Sequence, residues 1–187
     1  MSQLERELVF VTVGTDHHPF DRLCGWADAW VAGGRHPGVP WFVQSGTSKA
    51  PEVAPARDYI RYDEMCDYML RAVAVVCHGG PATIMDARKL GRVPIVVPRN
   101  ADLGENVDNH QQRFARRMAE LGEIHLARTQ DEVFELVEKA IADPTAFATS
   151  SDGAAIAAAV AKFEELVDGL VGRPGSGVSP GRKKARR

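Results

Sequence analysis

Cysteine is scarce in this chain, and the signatures of several large catalytic classes are missing altogether. Cys24, Cys66 and Cys77 are the only three cysteines in 187 residues. They are odd in number, far apart and never in a CxxC or Cys/His spacing, so neither a disulfide framework nor a zinc site is expected. They read as reduced thiols of a cytosolic protein, with Cys77 in an apolar run as a core residue. GxGxxG is absent, which disfavours a dinucleotide cofactor. There is no P-loop, no GxSxG and no HExxH, which removes the common nucleophile and zinc-protease arrangements. No apolar run approaches the roughly 20 residues a membrane-spanning helix needs. The opening MSQLERELVFVTV carries no charged-then-apolar signal pattern with a cleavage site. A soluble, cytoplasmic protein is therefore expected.

Acidic residues are missing from one segment. Residues 169–187 hold six basic side chains (Arg173, Arg182, Lys183, Lys184, Arg186, Arg187) and no acidic ones. Taking those six from the total of 23 leaves 17 basic against 25 acidic residues, a balance of −8 for the rest. An acidic body is a poor partner for nucleic acid. The Gly/Pro/Ser-rich segment lacks hydrophobic periodicity and is expected to be a disordered basic tail. Its charge suits anionic lipid or nucleic acid, but a solubilising tail is favoured. Residues 1–168 are expected to form one domain, long enough to bury a core without disulfides or metal.

What is present is a run of short apolar segments separated by helical patterns. Strands are expected at residues 8–13, 41–44, 59–62, 72–77, 93–97 and 124–127. Each is β-branched or aromatic and bounded by turn residues. Helices are expected over about 20–32, 63–71, 81–90, 109–121, 131–142 and 154–171. Asp63 is read as the cap of the second, with Met65, Met69 and Leu70 inward. In the third, Pro81 fits the first turn, and Ala82, Ile84, Met85, Ala87 and Leu90 are expected on the buried side. Strands alternating with helices imply an α/β, Rossmann-like parallel sheet with flanking helices and right-handed crossovers.

Open α/β sheets bind ligands beyond the C-terminal ends of their strands. Three loops are expected there. The first is Gly14-Thr15-Asp16-His17-His18, where glycine lets backbone N–H groups approach a phosphate. The second is His78-Gly79-Gly80-Pro81-Ala82-Thr83, followed one turn on by Asp86. Two glycines at a strand-to-helix turn expose N–H donors suited to a pyrophosphate without a metal. A lone histidine is more often a satisfied core residue, yet beside Gly-Gly at a strand end the ligand role is favoured for His78. A carboxylate at Asp86 is placed to accept both hydroxyls of a ribose. The third loop runs from Asn106 to Gln112, with Asp108 or Asn109 as helix cap. Its Asn109, His110 and Gln111 supply polar partners for sugar hydroxyls, or merely a polar helix start.

These segments resemble the glycosyltransferase family 28 C-terminal domain, the donor-binding half of the GT-B fold. VTVGTDHHPFDRL is similar to that family's opening strand and loop. HGGPATIMDARKLGRVPIVVP is similar to its His-x-Gly-x-x-x-Thr-x-x-acid motif followed by Gly-x-x-Pro. DNHQQRFARRMAELG is similar to its closing Asp-Asn-x-Gln segment. Within the family, the chain resembles the donor-binding subunits of two-part UDP-N-acetylglucosamine transferases of lipid-linked oligosaccharide assembly, and their bacterial exopolysaccharide counterparts. There the acceptor-binding half is a separate membrane-associated chain.

The resemblance implies roles. Gly14 and Thr15 would contact the diphosphate from below, and His78, Gly79, Gly80, Ala82 and Thr83 would hold it at the helix N-terminus. Asp86, where relatives usually have Glu, would bind the ribose. Asn109, His110 and Gln111 would reach the donor sugar, with His110 departing from the common acidic residue. The uracil would lie near Arg61 and Tyr62, held by backbone contact. It further implies inverting, metal-independent transfer of a hexosyl group, N-acetylglucosamine by preference, from a UDP-sugar to a polyprenyl-linked or polysaccharide acceptor. No cofactor is expected beyond the UDP-sugar co-substrate. A membrane-associated partner would recruit the chain to the cytoplasmic face of the membrane and supply the base, with His17 and His18 as local candidates. The alternative is a nucleotide-sugar binding or sensing module without transfer. A UDP-sugar epimerase of related fold needs a longer, two-domain chain.

Overall fold

Two apolar runs form the centre of the structure: Leu8–Thr12 (β1) and Ala72–His78 (β4). This computed structural model describes residues 8–149. Every residue of both strands is buried, as expected of strands covered on two faces. The remaining elements follow in order. They are α1 (Asp21–Ala32), β2 (Trp41–Gln44), β3 (Ala56–Arg57), α2 (Tyr62–Arg71), α3 (Pro81–Lys89), β5 (Ile95–Val97), α4 (His110–Glu120), β6 (His125–Leu126) and α5 (Gln130–Ala142). Short 3-10 turns lie at Ala101–Leu103 and Pro144–Phe147.

The strands pair in the order β3-β2-β1-β4-β5-β6, and every pairing is parallel. The chain first builds outward from β1 to β3, then crosses back to place β4 on the other side of β1. The strand order therefore reverses between β1 and β4. Their following loops diverge and leave a crevice at the C-terminal sheet edge.

Alternation along β1 sorts the core into two faces. Val9 and Val11 join Trp30 of α1 and Phe134 of α5 on one side. Leu8 and Phe10 meet Met69 of α2 and Ala87 of α3 on the other. Trp30 is fully buried, with its ring 5.2 Å from Trp41 and edge-on to Phe134 at 4.9 Å.

Four expectations are corrected. The third strand is not at residues 59–62 but at Ala56–Arg57, where Ala56 and Arg57 pair with Val43 and Gln44. Residues 59–61 are irregular, and Ile60 packs against the Phe10 face, so its apolar character reflects packing rather than a strand. Asp63 is not a cap: Arg61 is the N-cap of α2, without a side-chain cap bond, and Asp63 pairs with Arg61 at 3.0 Å. Leu70 is exposed, while Met69 is the fully buried residue of that helix. Ala82 is exposed and lines the crevice, because the first turn of α3 projects past the sheet edge. The expected helix over 154–171 and the tail at 169–187 lie outside the described residues.

Trp30→Ala should cost about 3–5 kcal/mol, since no neighbour can fill the space of an indole wedged between two aromatic rings. Urea unfolding of the two proteins checks this.

Candidate functional site

The crevice between β1 and β4 is a cleft of about 540 Å³. The loop after β1, the turn after β4 and the start of α2 enclose it. Its walls include Gly14 and Thr15 from the first, His78, Gly80 and Thr83 from the second, and Tyr62 from the third. Asp86 and Gln44 also line it.

Gly14 is required by its conformation and by its neighbour. Its φ is +79°, in the left-handed region. A methyl group on it would lie 2.5 Å from Cε1 of His78. A methyl on Gly80 would also collide with the His78 ring. The imidazole thus packs against two bare backbones, one from each side of the switch point. Burial, reinforced by the nearby Arg99 charge, pushes the His78 pKa down to about 4. The ring is neutral at pH 7, so any bond it gives an anion is that of a neutral N–H donor. Its Nδ1 is buried and without a hydrogen-bond partner.

α3 begins in the cleft. Its N-cap is Gly80, which has no side chain to bond the first-turn N–H groups. Pro81 has no N–H to satisfy, and the first helical bond is Ile84 N–H to Gly80 O at 3.2 Å. The N–H groups of Ala82 and Thr83 precede that bond. They point out of the helix end with the positive pole of its dipole. Asp86 follows one turn later, and Tyr62 Oη donates to its Oδ1 at 3.1 Å.

Gln44 ties the floor together. Thr12 Oγ1 donates to its Oε1 at 2.5 Å, and its Nε2 donates to the carbonyls of Gly14 (3.0 Å) and Asp58 (2.7 Å). Arg99 does the same behind the loop after β1. It is fully buried and donates to the carbonyls of Val13 (2.8 Å), His18 (2.6 Å) and Glu105 (3.0 Å). Arg22 holds Glu105 through two 2.8 Å bonds.

Of the residues expected at the site, Gly14, Thr15, His78, Gly80, Ala82, Thr83 and Asp86 come together here. Gly79 does not line the cleft: it is buried, and a methyl on it would lie 3.1 Å from Cβ and Oε1 of Gln111. Gln111 itself is buried, with Oε1 accepting from the Arg99 N–H at 3.3 Å. Asn109 accepts from the Ala101 N–H at 3.0 Å, and His110 is exposed and bonded through Nδ1 to Asp108 at 2.5 Å. The third loop thus supports the second from behind rather than lining the cleft. Asp108, not Asn109, accepts the first N–H of α4, at 2.7 Å from His110 N.

Asp16 lines the cleft, but His17 and His18 do not. His18 bonds Asp16 through both its backbone N–H (2.8 Å) and Nδ1 (2.6 Å). The backbone bond is the leading cause that holds the Asp16 carboxyl below the usual range. One ligand atom each of Asp16, His17 and His18 lies within 4.8 Å of the others, close enough to share a metal ion. The side chains of Gln44, Tyr62 and Arg99 complete the candidate site, and no local sequence pattern marks them. The available signal is residue type alone, a glutamine or arginine at the ligand edge of an otherwise apolar strand.

The model of the glycosyltransferase family 28 C-terminal domain matches residues 41–168. The chain belongs to this family. That match covers β4, α3 and α4, and so most of the cleft. No curated protein matches the chain. Solved glycosyltransferases share the fold. The chain aligns with the kitacinnamycin glycotransferase at 15% identity and TM-score 0.55, over 92% of its own length and 42% of that chain. With MurG of Acinetobacter baumannii the values are 16% and 0.53, over 91% and 51%. With CalG4, the calicheamicin glycosyltransferase, they are 15% and 0.51, over 90% and 39%. This family 28 domain therefore spans about half, or less, of those enzymes. No helix among its described residues is long and apolar enough to cross a membrane.

The His78 environment yields a pH prediction. Its folded pKa lies below the unfolded value, so the unfolded chain takes the proton first. Its contribution is harmless above about pH 6.5 and increasingly destabilising as pH falls toward 4. Wild type should lose about 2–3 kcal/mol more than His78→Asn between pH 7 and pH 4.5, measured by urea unfolding at both. Gly14→Ala should destabilise by at least about 1 kcal/mol at pH 7, from the left-handed backbone and the clash with the ring.

Proposed function

We propose that this chain is the donor-binding half of an inverting, metal-independent glycosyltransferase that uses a UDP-sugar, with N-acetylglucosamine as the preferred hexosyl group. The observation that carries the reading is the start of α3. Its uncapped Ala82 and Thr83 N–H groups face the switch-point cleft, with Gly14, Gly80 and neutral His78 around them. That is a cradle for a diphosphate, and Asp86 one turn on suits a ribose.

In the reaction, the acceptor hydroxyl attacks the anomeric carbon as the bond to the diphosphate oxygen breaks. UDP leaves with the electron pair. The α3 dipole, the backbone N–H groups and the His78 N–H stabilise the charge that develops on it. A base takes the acceptor proton. We assign that base, and the polyprenyl-linked or polysaccharide acceptor, to a membrane-associated partner chain. His18, paired with Asp16 at 2.6 Å, is the local candidate; His17 is more exposed. The sugar would sit toward α4, where the His110 side chain is exposed. Gln111 and Asn109 would act through the backbone they hold.

Calorimetric titration of the purified chain tests this reading. UDP should bind equally with and without EDTA, within about twofold, because backbone N–H groups and not a cation meet the diphosphate. Transfer should be slow until a membrane-associated partner is co-expressed. Full transfer by the chain alone would overturn the split-enzyme reading. Binding without transfer in the presence of the partner would favour a sensing module. Absence of UDP binding would overturn the site.

A further inference from the structure

The Tyr62–Asp86 bond spans the cleft from the first residue of α2 to the middle of α3. Both residues line the cleft. Tyr62 is not there for burial: 64% of it is exposed, among the highest values for a large apolar or aromatic side chain in the described residues. A tyrosine that contributes little to the core, yet aims its hydroxyl at a cleft carboxylate, is explained by what it does to that carboxylate.

We infer that Tyr62 is a positioning residue for nucleoside recognition, holding Asp86 so that this carboxylate reads the ribose diol. This rests on the nucleotide reading above and extends it to a residue and a selectivity. A carboxylate offers about four lone-pair positions on two oxygens. Tyr62 occupies one on Oδ1, where its proton is donated. Oδ2 and the second position on Oδ1 stay available, and two vicinal hydroxyls can donate to them together. Without Tyr62 the Asp86 side chain is free to rotate, and the diol must order it on binding. The Tyr62 oxygen keeps its own lone pairs and can accept from a ribose hydroxyl in turn. Consistent with a bond that favours the protonated phenol, the Asp86 carboxylate pushes the Tyr62 pKa up to about 12.

The rival account is competition: the phenol stands where a ribose hydroxyl should, and the ligand must displace it. The two accounts predict opposite signs. Titration of wild type, Tyr62→Phe and Asp86→Asn with UDP and with 2′-deoxy-UDP separates them. Positioning predicts that wild type prefers UDP over the deoxy analogue by about tenfold, the worth of one hydrogen bond to the carboxylate. Tyr62→Phe should weaken UDP by about five- to tenfold and 2′-deoxy-UDP by about twofold or less, narrowing the preference. Asp86→Asn should narrow it likewise, and Tyr62→Phe added to Asp86→Asn should change little more. Tighter UDP binding by Tyr62→Phe, or an unchanged preference, would overturn the inference while leaving the nucleotide site intact. Failure of wild type to bind UDP would overturn both. Equal thermal midpoints for Tyr62→Phe and wild type check that the variant is folded, and a general loss of fit would weaken both ligands equally.

Discussion

An imidazole packed between two bare backbones is the contact on which the cleft depends. His78 ends the central strand β4, and Gly14 follows the central strand β1. A methyl group on either Gly14 or Gly80 would enter the ring's space. The loops on the two sides of the switch point can therefore approach within the thickness of a ring. Parallel strands in the order β3-β2-β1-β4-β5-β6 bring those two loops side by side, and glycine lets them close. A larger residue at either position would separate Thr15 from the start of α3 and open the cradle.

Charge is arranged around that contact without any lysine or arginine among the described residues that line the cleft. His78 is held neutral by burial and by Arg99. Arg99 is buried behind the loop after β1, and burial depresses its own pKa. Its guanidinium donates to three carbonyls and lies 4.9 Å over the Phe20 ring, while Arg22 and Glu105 clamp the neighbouring segment. The positive potential offered to a ligand comes instead from N–H groups at the head of α3. Donors fixed by the backbone need no reorganisation as charge develops. Asn109 and Gln111 do not line the cleft, and their bonds hold the Ala101 and Arg99 backbone behind it.

Strands covered on both faces are legible because they are continuous apolar runs, and β1 and β4 were placed within a residue by that signal alone. The Gly-Gly turn and Pro81 marked the start of α3 for an equally local reason. β3 was misplaced because two residues at a sheet edge carry no pattern. The apolar Ile60 nearby packs on the core without pairing. Ala82 was turned inward because helical periodicity is blind to where the sheet ends. Gln44, Tyr62 and Arg99 are not legible locally because most of their bonds are long-range, up to 86 residues of sequence for Arg99 to Val13. The polar composition of the third loop suggests a ligand-facing role. In the fold, those polar groups satisfy backbone N–H groups.

The proposed function turns on a diphosphate held at the first turn of α3. Amide chemical shifts followed during titration with UDP test it most directly. The largest shifts are expected at the N–H groups of Ala82 and Thr83, with Thr15 moving alongside and the far end of the sheet, at β6, unmoved. Saturable shifts centred elsewhere, with Ala82 and Thr83 unchanged, would contradict it.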